Sequence, residues 1–327
     1  MGVSSSPRRQ PSTAAVALAL GLVYVLWGST YFGIAVMIET LPPLLAAGVR
    51  YATAGALMLG ALVVHSRLRR GGQPVEPPNR AHWRSALIIG TLLLLGGNGG
   101  VVLSELLIPS GVAAVVIATV PIWLSVFDAL LTRRRPSRLV IGGLVAGIIG
   151  VAVLVAPMEG DESLDPVGVG LCVAAAISWA IGSLYARRAP LPRSGLLATG
   201  MEMLAGGLVL VLAGSLLGEV GRTDVSQFSL RSIVAFFYLV VFGSIVAFTA
   251  YIWLLDRVPV STVGTYAYVN PIVAVALGAI FLSEPVTPRT LVAAAIILGA
   301  VVAMVSGRPR EAEEPGPAPE TAPLEPD

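Results

Sequence analysis

Long apolar runs separated by short polar ones dominate the chain. Ten of these runs have roughly 17–25 residues, the length of a helix that crosses about 30 Å of hydrocarbon. We therefore predict an all-α integral membrane protein with ten transmembrane helices. The ten segments are 14–37, 43–64, 83–103, 111–131, 139–156, 167–186, 195–217, 233–254, 262–282 and 289–306.

Polar stretches divide this pattern into two halves. Residues 1–13 and 307–327 are polar, the latter rich in Pro and Glu, which predicts two disordered cytoplasmic tails. The acidic stretch 157–166 predicts a linker. It separates two units of five helices each, 14–156 and 167–306.

The two halves carry traces of an internal repeat. Pro109 and Pro121 enclose an apolar run, and Pro259 and Pro271 enclose a second run 150 residues later. Further pairs recur at offsets near 150: Trp27 and Trp179, Arg50 and Glu202, Gly150 and Gly299. Since five spans is an odd number, the second repeat must be inverted relative to the first. A proline inside an apolar helix removes a donor, so we expect helix breaks at Pro121 and Pro271. Matching breaks in inverted repeats indicate a transport site.

Composition and arginine placement agree with a membrane protein. The chain is 55% hydrophobic and 12% charged, and all 21 basic residues are Arg. With ten spans, 17 Arg lie on the side of the two termini and three on the other, with Arg50 inside a span. The excess predicts that both termini are cytoplasmic.

Several functional classes lack the residues that they require. Cys172 is the single cysteine, and the two histidines, His65 and His82, lie in one polar loop. We therefore expect no metal site, no cofactor and no catalytic set at membrane depth. The chain has no Lys and no phosphate-binding loop, and nothing indicates nucleic-acid binding.

Two charges lie well inside the predicted spans, and intramembrane charge is a functional hypothesis by default. Arg50 and Glu202 differ in depth by roughly 12 Å at 1.5 Å per residue, so we expect separate partners. Glu202 is a candidate proton-coupling carboxylate, or it bonds neighbouring hydroxyls or backbone. Arg50 binds an anionic solute group or, as we favour, extends toward the outer interface. Glu105 and Glu284 lie near outer helix ends, where solvation or helix capping is expected.

Neutral side chains supply the candidate solute contacts. Asn98 is flanked by glycines, and Asn270 precedes Pro271, so either amide faces solute or satisfies backbone. Tyr266 is four residues from Asn270 and shares its helix face. Trp27 and Trp179 lie near mid-span, where they line a cavity or pack between helices.

Five local motifs stand out along the chain: Leu26–Ser29, Gly96–Gly99, Pro109–Ala114, Ser178–Ser183 and Ser283–Pro285. In these motifs the chain resembles the drug/metabolite transporter superfamily, specifically its EamA-type ten-helix members. The resemblance implies export or uptake of small organic metabolites, amino acids included, across a bacterial inner membrane. One departure is Arg133–Pro136, which stands where the family often has a Glu matching Glu284.

Together these observations predict a secondary transporter, favoured as an exporter, that works by alternating access, with proton coupling as a further hypothesis. Its partners are a small-molecule solute and the lipid bilayer. The Gly143–Gly147 motif predicts close helix packing, within the chain or across a homodimer. The alternatives are a membrane scaffold or sensor without transport and a membrane-embedded enzyme.

Overall fold

The computed structural model describes residues 12–68, 77–133, 138–156, 164–255, 257–258 and 260–306, and these form helices and their connections without a strand. Most of the predicted tails and linker lies outside the described residues. The α-helices are α1 (Thr13–Ile38), α2 (Pro43–Leu68), α3 (Arg80–Gly90), α4 (Gly100–Ser104), α5 (Ser110–Ile117), α6 (Val120–Leu131), α7 (Arg138–Val155), α8 (Pro166–Ala186), α9 (Gly195–Leu216), α10 (Glu219–Arg222), α11 (Leu230–Tyr238), α12 (Ala247–Leu255), α13 (Val260–Val263), α14 (Tyr266–Phe281) and α15 (Pro288–Ser306).

Seven helical segments of the described chain are long and apolar enough to cross a membrane. They are Thr13–Ile38, Pro43–Leu68, Arg80–Ser104, Ser110–Leu131, Pro166–Ala186, Gly195–Leu216 and Leu230–Leu255. Three shorter apolar helices accompany them: Arg138–Leu154, Tyr266–Phe281 and Pro288–Ala303. All ten predicted segments coincide with these helices. The all-helical class is therefore confirmed, while the count of ten membrane crossings stays a prediction.

Helices α2 and α9 run antiparallel in close backbone contact. A Cβ added to Gly55 of α2 would lie 2.5 Å from the backbone nitrogen of Leu204 and 2.7 Å from the carbonyl oxygen of Gly200. One added to Gly48 would lie 2.6 Å from the nitrogen of Val211. Because small residues permit this approach, the two helices bury each other's backbone. They occupy matching places in the two predicted repeats.

Two membrane-length helices contain a π-helical segment. Thr91–Gly99 joins α3 to α4, and Leu239–Val246 joins α11 to α12. The segments begin 148 residues apart, close to the repeat offset. A π-helical turn widens the backbone and is frequent at functional sites. Its recurrence adds a structural sign of the repeat to those in the sequence.

Each half of the chain also has an interrupted helix, but the second interruption does not lie where the sequence predicted it. The first lies at Ala118–Thr119, directly before α6, whose second residue is Pro121. The second lies between α13 and α14 at Gly264–Thr265, and Pro271 is inside the continuous helix α14. Proline removes only one backbone donor, and packing against α1 holds the helix together through that position. The helix break that we expected at Pro271 therefore lies closer to the start of the segment.

Two glutamates cap helix starts from distant parts of the chain. Glu284 accepts hydrogen bonds from the backbone nitrogens of Ser110 (2.8 Å) and Gly111 (3.1 Å), at the start of α5. Glu219 accepts from two N–H groups in the first turn of α2, at 3.1 and 2.8 Å. A carboxylate there pairs with free N–H groups and with the positive end of the helix dipole. The capping role expected of Glu284 is confirmed.

The predicted close-packing motif on α7 lies at a contact between helices. Gly147 faces the side chain of Ile122, where an added Cβ would come within 2.7 Å. Gly143 lines a cleft of about 320 Å³ between α7 and α15, beside Arg138 and Ala300. One half of the motif thus packs within the chain. The predicted homodimer stays a prediction.

We expect Gly55→Ala to destabilise the protein, because the added methyl group meets backbone atoms of α9 that cannot rotate away. Overpacking of this kind costs about 1–3 kcal/mol. The matched control is Gly60→Ala in the same helix, where an added Cβ meets nothing within 4 Å. Thermal unfolding of the purified protein in detergent measures both. Equal midpoints for the two variants would contradict the close contact.

Candidate functional site

An aromatic cluster surrounds Trp27 on α1. The ring centroids of Phe248, Tyr251 and Tyr266 each lie 5.0 Å from that of Trp27, in edge or tilted arrangements. Two of the predicted solute contacts, Trp27 and Tyr266, are therefore neighbours. Edge-to-face contacts of this geometry stabilise the packing of α1, α12 and α14. The cluster thus joins these three helices through contacts between aromatic rings.

Asn270 binds the backbone of its surroundings. Its side chain is 7% exposed. With the amide oriented so that its nitrogen donates, it reaches the carbonyl oxygens of Tyr266 (3.1 Å) and Tyr24 (3.2 Å). The latter bond ties α14 to α1, and a hydrogen bond between Tyr24 and Thr265 strengthens the same junction. The sequence left two roles open for the amide of Asn270, contact with solute or hydrogen bonding to the backbone. In the structure the amide nitrogen donates to backbone carbonyl groups.

Asn98 and Trp179 lie at a second place, where the first π-helical segment packs on α8. Asn98 is half-buried within that segment. An added Cβ on Gly97 would come 2.7 Å from the ring of Trp179, so the indole lies against a glycine surface. Among the ring contacts of the described chain, none joins Trp179 to Trp27. The five predicted solute contacts thus divide between two places in the structure.

Arg50 is buried in the bundle at 2% exposure. Its Nε donates to the Oγ of Ser244 at 3.0 Å, within the second π-helical segment. Its guanidinium also lies 4.5 Å from the centre of the Tyr51 ring. The extension toward the outer interface that we favoured for Arg50 is therefore wrong, because a distant serine and an aromatic face hold the side chain inside.

Glu202 lies half-buried on α9. No hydrogen bond from another described residue reaches its carboxylate, and no ion pair joins it to Arg50. Gly55 of α2 contacts Gly200 and Leu204, so Glu202 lies beyond Arg50 along the helix axis. The structure therefore keeps the two charges apart, as their difference in depth predicted.

Glu105 is the residue whose surroundings the sequence analysis misassigned. It follows α4, and both of its carboxylate oxygens are buried without a hydrogen-bond partner among the described residues. Its position at a helix end indicated a solvated or capping carboxylate, and the structure contradicts both. The one available signal was an isolated acidic residue within the run Val101–Ile108, which is apolar apart from Ser104 and Glu105.

The described residues contain no group of His, Cys, Asp or Glu side chains that could hold a metal ion. The interior instead offers aromatic surface, amides and a few charges.

The model of the EamA-like transporter family matches residues 14–156 and 166–306. The chain belongs to this family. The match repeats once in each half, in agreement with the internal repeat. Membership supports a transporter rather than an enzyme, and the arrangement of two helical repeats accords with the family.

Several proteins are similar to this chain along most of its length, and two of those described next carry a transporter or efflux-pump name. The inner membrane transporter YedA of Escherichia coli (strain K12) is 40% identical over 291 residues, covering 89% of this chain and 90% of its own length. A protein of Salmonella typhimurium named "Probable amino-acid metabolite efflux pump" is 25% identical, covering 88% and 93%. Protein PecM of Dickeya dadantii is 26% identical over 278 residues, covering 84% and 87%.

A solved crystal structure shares the fold of this EamA-like protein. It covers 89% of this chain and 96% of its own, with a TM-score of 0.58 and 19% sequence identity. At that identity the likeness concerns the fold alone.

We expect Ser244→Ala to destabilise the protein, since it removes the acceptor of the Arg50 Nε bond and leaves a buried cation with one fewer partner. A hydrogen bond to a charged group contributes about 1.5–3 kcal/mol. Thermal unfolding in detergent measures the loss. Ser244→Thr keeps a hydroxyl and should retain most of the stability.

The control is Ser215→Ala, at an exposed serine whose hydroxyl bonds only its own helix. If the Ser244 and Ser215 variants unfolded at the same temperature, Ser244 would not be a significant anchor of Arg50.

Proposed function

We propose that this chain is a secondary transporter that moves small organic metabolites such as amino acids out of the cytoplasm by alternating access. The observation that carries the proposal is the paired irregularity of the fold. Each half contains one π-helical segment and one interrupted helix at matching places. Membership of a transporter family and the efflux-pump name of one relative support it.

The proposed arrangement in the membrane follows from the sequence. We propose ten spans, in two inverted repeats, in a bacterial inner membrane with both termini cytoplasmic. The arginine asymmetry supports the orientation, and the name of the Escherichia coli relative supports the membrane. Under this topology Glu105, Glu219 and Glu284 lie on the outer side.

Alternating access needs one rigid part and one that rearranges. The glycine contacts of α2 and α9 leave no room for sliding without a backbone clash, so we assign them to the rigid part. The π-helical segments and interruptions lack regular helical hydrogen bonding, so they are the places where small dihedral changes reorient a helix. Their pairing would let the two repeats exchange conformations.

We propose Trp27 and Tyr266 on one wall, and Asn98 and Trp179 on the other, as the neutral contacts of the solute. Aromatic faces stack on apolar or cationic groups, and the amide of Asn98 supplies a donor and an acceptor. Asn270 acts mainly by holding α14 to α1 beside this lining. The composition suits a zwitterionic or partly aromatic solute.

The proposal predicts saturable flux in proteoliposomes that contain the purified protein. Amino acids and small aromatic solutes are screened with and without an imposed pH gradient, against liposomes without protein. Saturable uptake or efflux of any tested solute supports the transporter. If folded protein moved none of them, the scaffold or sensor alternative would replace it.

We further propose Glu202 as the proton-coupling carboxylate, because it is half-buried without a hydrogen-bond partner among the described residues. Glu202→Gln should then reduce gradient-driven accumulation to the level measured without a gradient, since the amide cannot carry a proton. Exchange of solute without a gradient should persist.

The matched control is Glu39→Gln, at an exposed glutamate paired with Arg231. It should leave gradient-driven accumulation unchanged. Undiminished accumulation in the Glu202 variant would remove Glu202 from coupling while leaving transport itself intact.

A further inference from the structure

Two non-glycine residues of the described chain have a positive φ, and they lie 150 residues apart. Arg133 (φ 52°) follows α6, and Ser283 (φ 55°) follows α14. A left-handed backbone is unfavourable for residues with a side chain, and such strain concentrates at functional and switching positions. Since 150 residues is the offset of the internal repeat, the same strained turn ends the fourth and the ninth apolar segments.

The turn at Ser283 connects the two repeats. Directly after it, the backbone N–H of Glu284 donates to the carbonyl oxygen of Gly278 at 3.1 Å, which closes the turn at the end of α14. The Glu284 carboxylate accepts hydrogen bonds from Ser110 and Gly111 at the start of α5, at 2.8 and 3.1 Å. Helix α5 belongs to the first repeat and α14 to the second. The strained turn thus directs a carboxylate of one repeat to a helix start of the other.

The carboxylate of Glu284 is tightly enclosed. An added Cβ on Gly278 would overlap its Oε2 and would lie 3.2 Å from Oγ of Ser110, so only glycine leaves the carboxylate room to reach α5. An added Cβ on Gly111 would lie 3.0 Å from Cα of Val275, so α5 and α14 approach closely beside it. These helix ends can separate only if the carboxylate leaves its two donors.

Further hydrogen bonds join the two halves on the same side of the membrane. Ser232 of α11 donates its hydroxyl to the carbonyl oxygen of Val36 in α1, at 2.8 Å. The backbone N–H of Ser229 donates to Oγ1 of Thr40, at 3.0 Å. Under the proposed topology these residues and Glu284 lie toward the outer side. The outer ends of the two halves are therefore tied together in this conformation.

Hydrogen bonds at the inner helix ends follow another pattern. Thr132, after α6, bonds the carbonyl oxygen of Asp128 at 2.8 Å, and Arg257, after α12, bonds that of Trp253 at 3.1 Å. Each bond joins residues four apart, so neither connects the two halves. The sequence of the inner turn differs as well, since residues 133–135 are all arginine. A guanidinium group has donors only and cannot accept hydrogen bonds from a helix start.

We propose that Glu284, bonded to Ser110 and Gly111, is an outer latch that keeps the resting transporter closed to the outside. This inference rests on the proposed topology and alternating access, and it specifies which side is held closed and by which contact. Outward opening must break both hydrogen bonds of the outer latch, whereas the matching inner turn has arginine in place of the acid. The resting equilibrium therefore favours access from the cytoplasm, where an exporter takes up its solute.

The test measures distances between paired spin labels on the purified full chain by electron paramagnetic resonance. One pair, at the exposed residues Leu106 and Val286, spans the outer ends of the two halves. The other pair, at the exposed residues Leu131 and Leu255, spans the inner ends. The labels are attached to cysteines introduced into a Cys172→Ala background, and thermal unfolding verifies that each labelled protein is folded.

With the outer latch intact we expect one short distance across the outer pair. Glu284→Ala removes both acceptors, and Gly278→Ala displaces the carboxylate while keeping its charge. Each substitution should increase the fraction of molecules with a longer outer distance at least about tenfold, and the inner distance should shorten in the same molecules. This reciprocal change separates a shift between two conformations from a local loosening of the helix ends.

Two matched controls accompany these variants. Asp224→Ala removes an outer carboxylate whose hydrogen bonds go to Ser226 in its own turn, at 3.0 and 2.7 Å. Gly299→Ala adds a methyl group to α15 where a Cβ meets nothing within 4 Å. Neither control should change the outer or the inner distance.

Unchanged distances in folded Glu284→Ala would overturn the inference, and a lower unfolding temperature alone would then make Glu284 a structural cap. A longer outer distance in most molecules with the latch intact would also overturn it. If Gly278→Ala did not fold, the Glu284 variant would decide. Flux in proteoliposomes is a separate measurement. Saturable flux with unchanged distances refutes the latch alone, and shifted distances without flux refute transport alone.

Discussion

The backbone contact between α2 and α9 is the constraint on which the rest of the fold depends. Glycines at Gly48 and Gly55 let the two helices approach until a single methyl group would overlap backbone atoms. In a membrane, where apolar side chains gain little by leaving lipid, such contacts supply much of the packing energy. They also fix the depth of Arg50 and Glu202, because the antiparallel helices cannot slide past each other.

The two π-helical segments pack beside the α2–α9 pair and on α8. Ser244 of the second π-helical segment accepts a hydrogen bond from Arg50. Glycines of the first π-helical segment pack against α8. Irregular backbone within a membrane persists only where protein or a cavity satisfies it, so both segments must face the interior. Arg50 thus lies on a helix of the rigid α2–α9 pair and bonds the second π-helical segment. A movement of the irregular helix would change the setting of that charge directly.

The sequence predicted the fold better than the site. The positions of the helices follow from the lengths of the apolar runs, which are a local property of the sequence. Prolines such as Pro43 and Pro166 mark where some of these helices begin. The acceptor of Arg50 lies 194 residues away, and no local pattern indicates such a contact. Glu105 was misread because proximity to a helix end says nothing about the neighbouring helices that cover it. Pro271 was misread because tertiary packing tolerates one missing donor.

Three glutamates near helix ends differ in the hydrogen-bond partners that the fold gives them. Glu219 and Glu284 each satisfy two backbone donors at helix starts. Glu105 lies close to the second of these caps yet has no such donors. The fold thus stabilises two carboxyl groups with backbone donors and buries a third without a hydrogen-bond partner among the described residues.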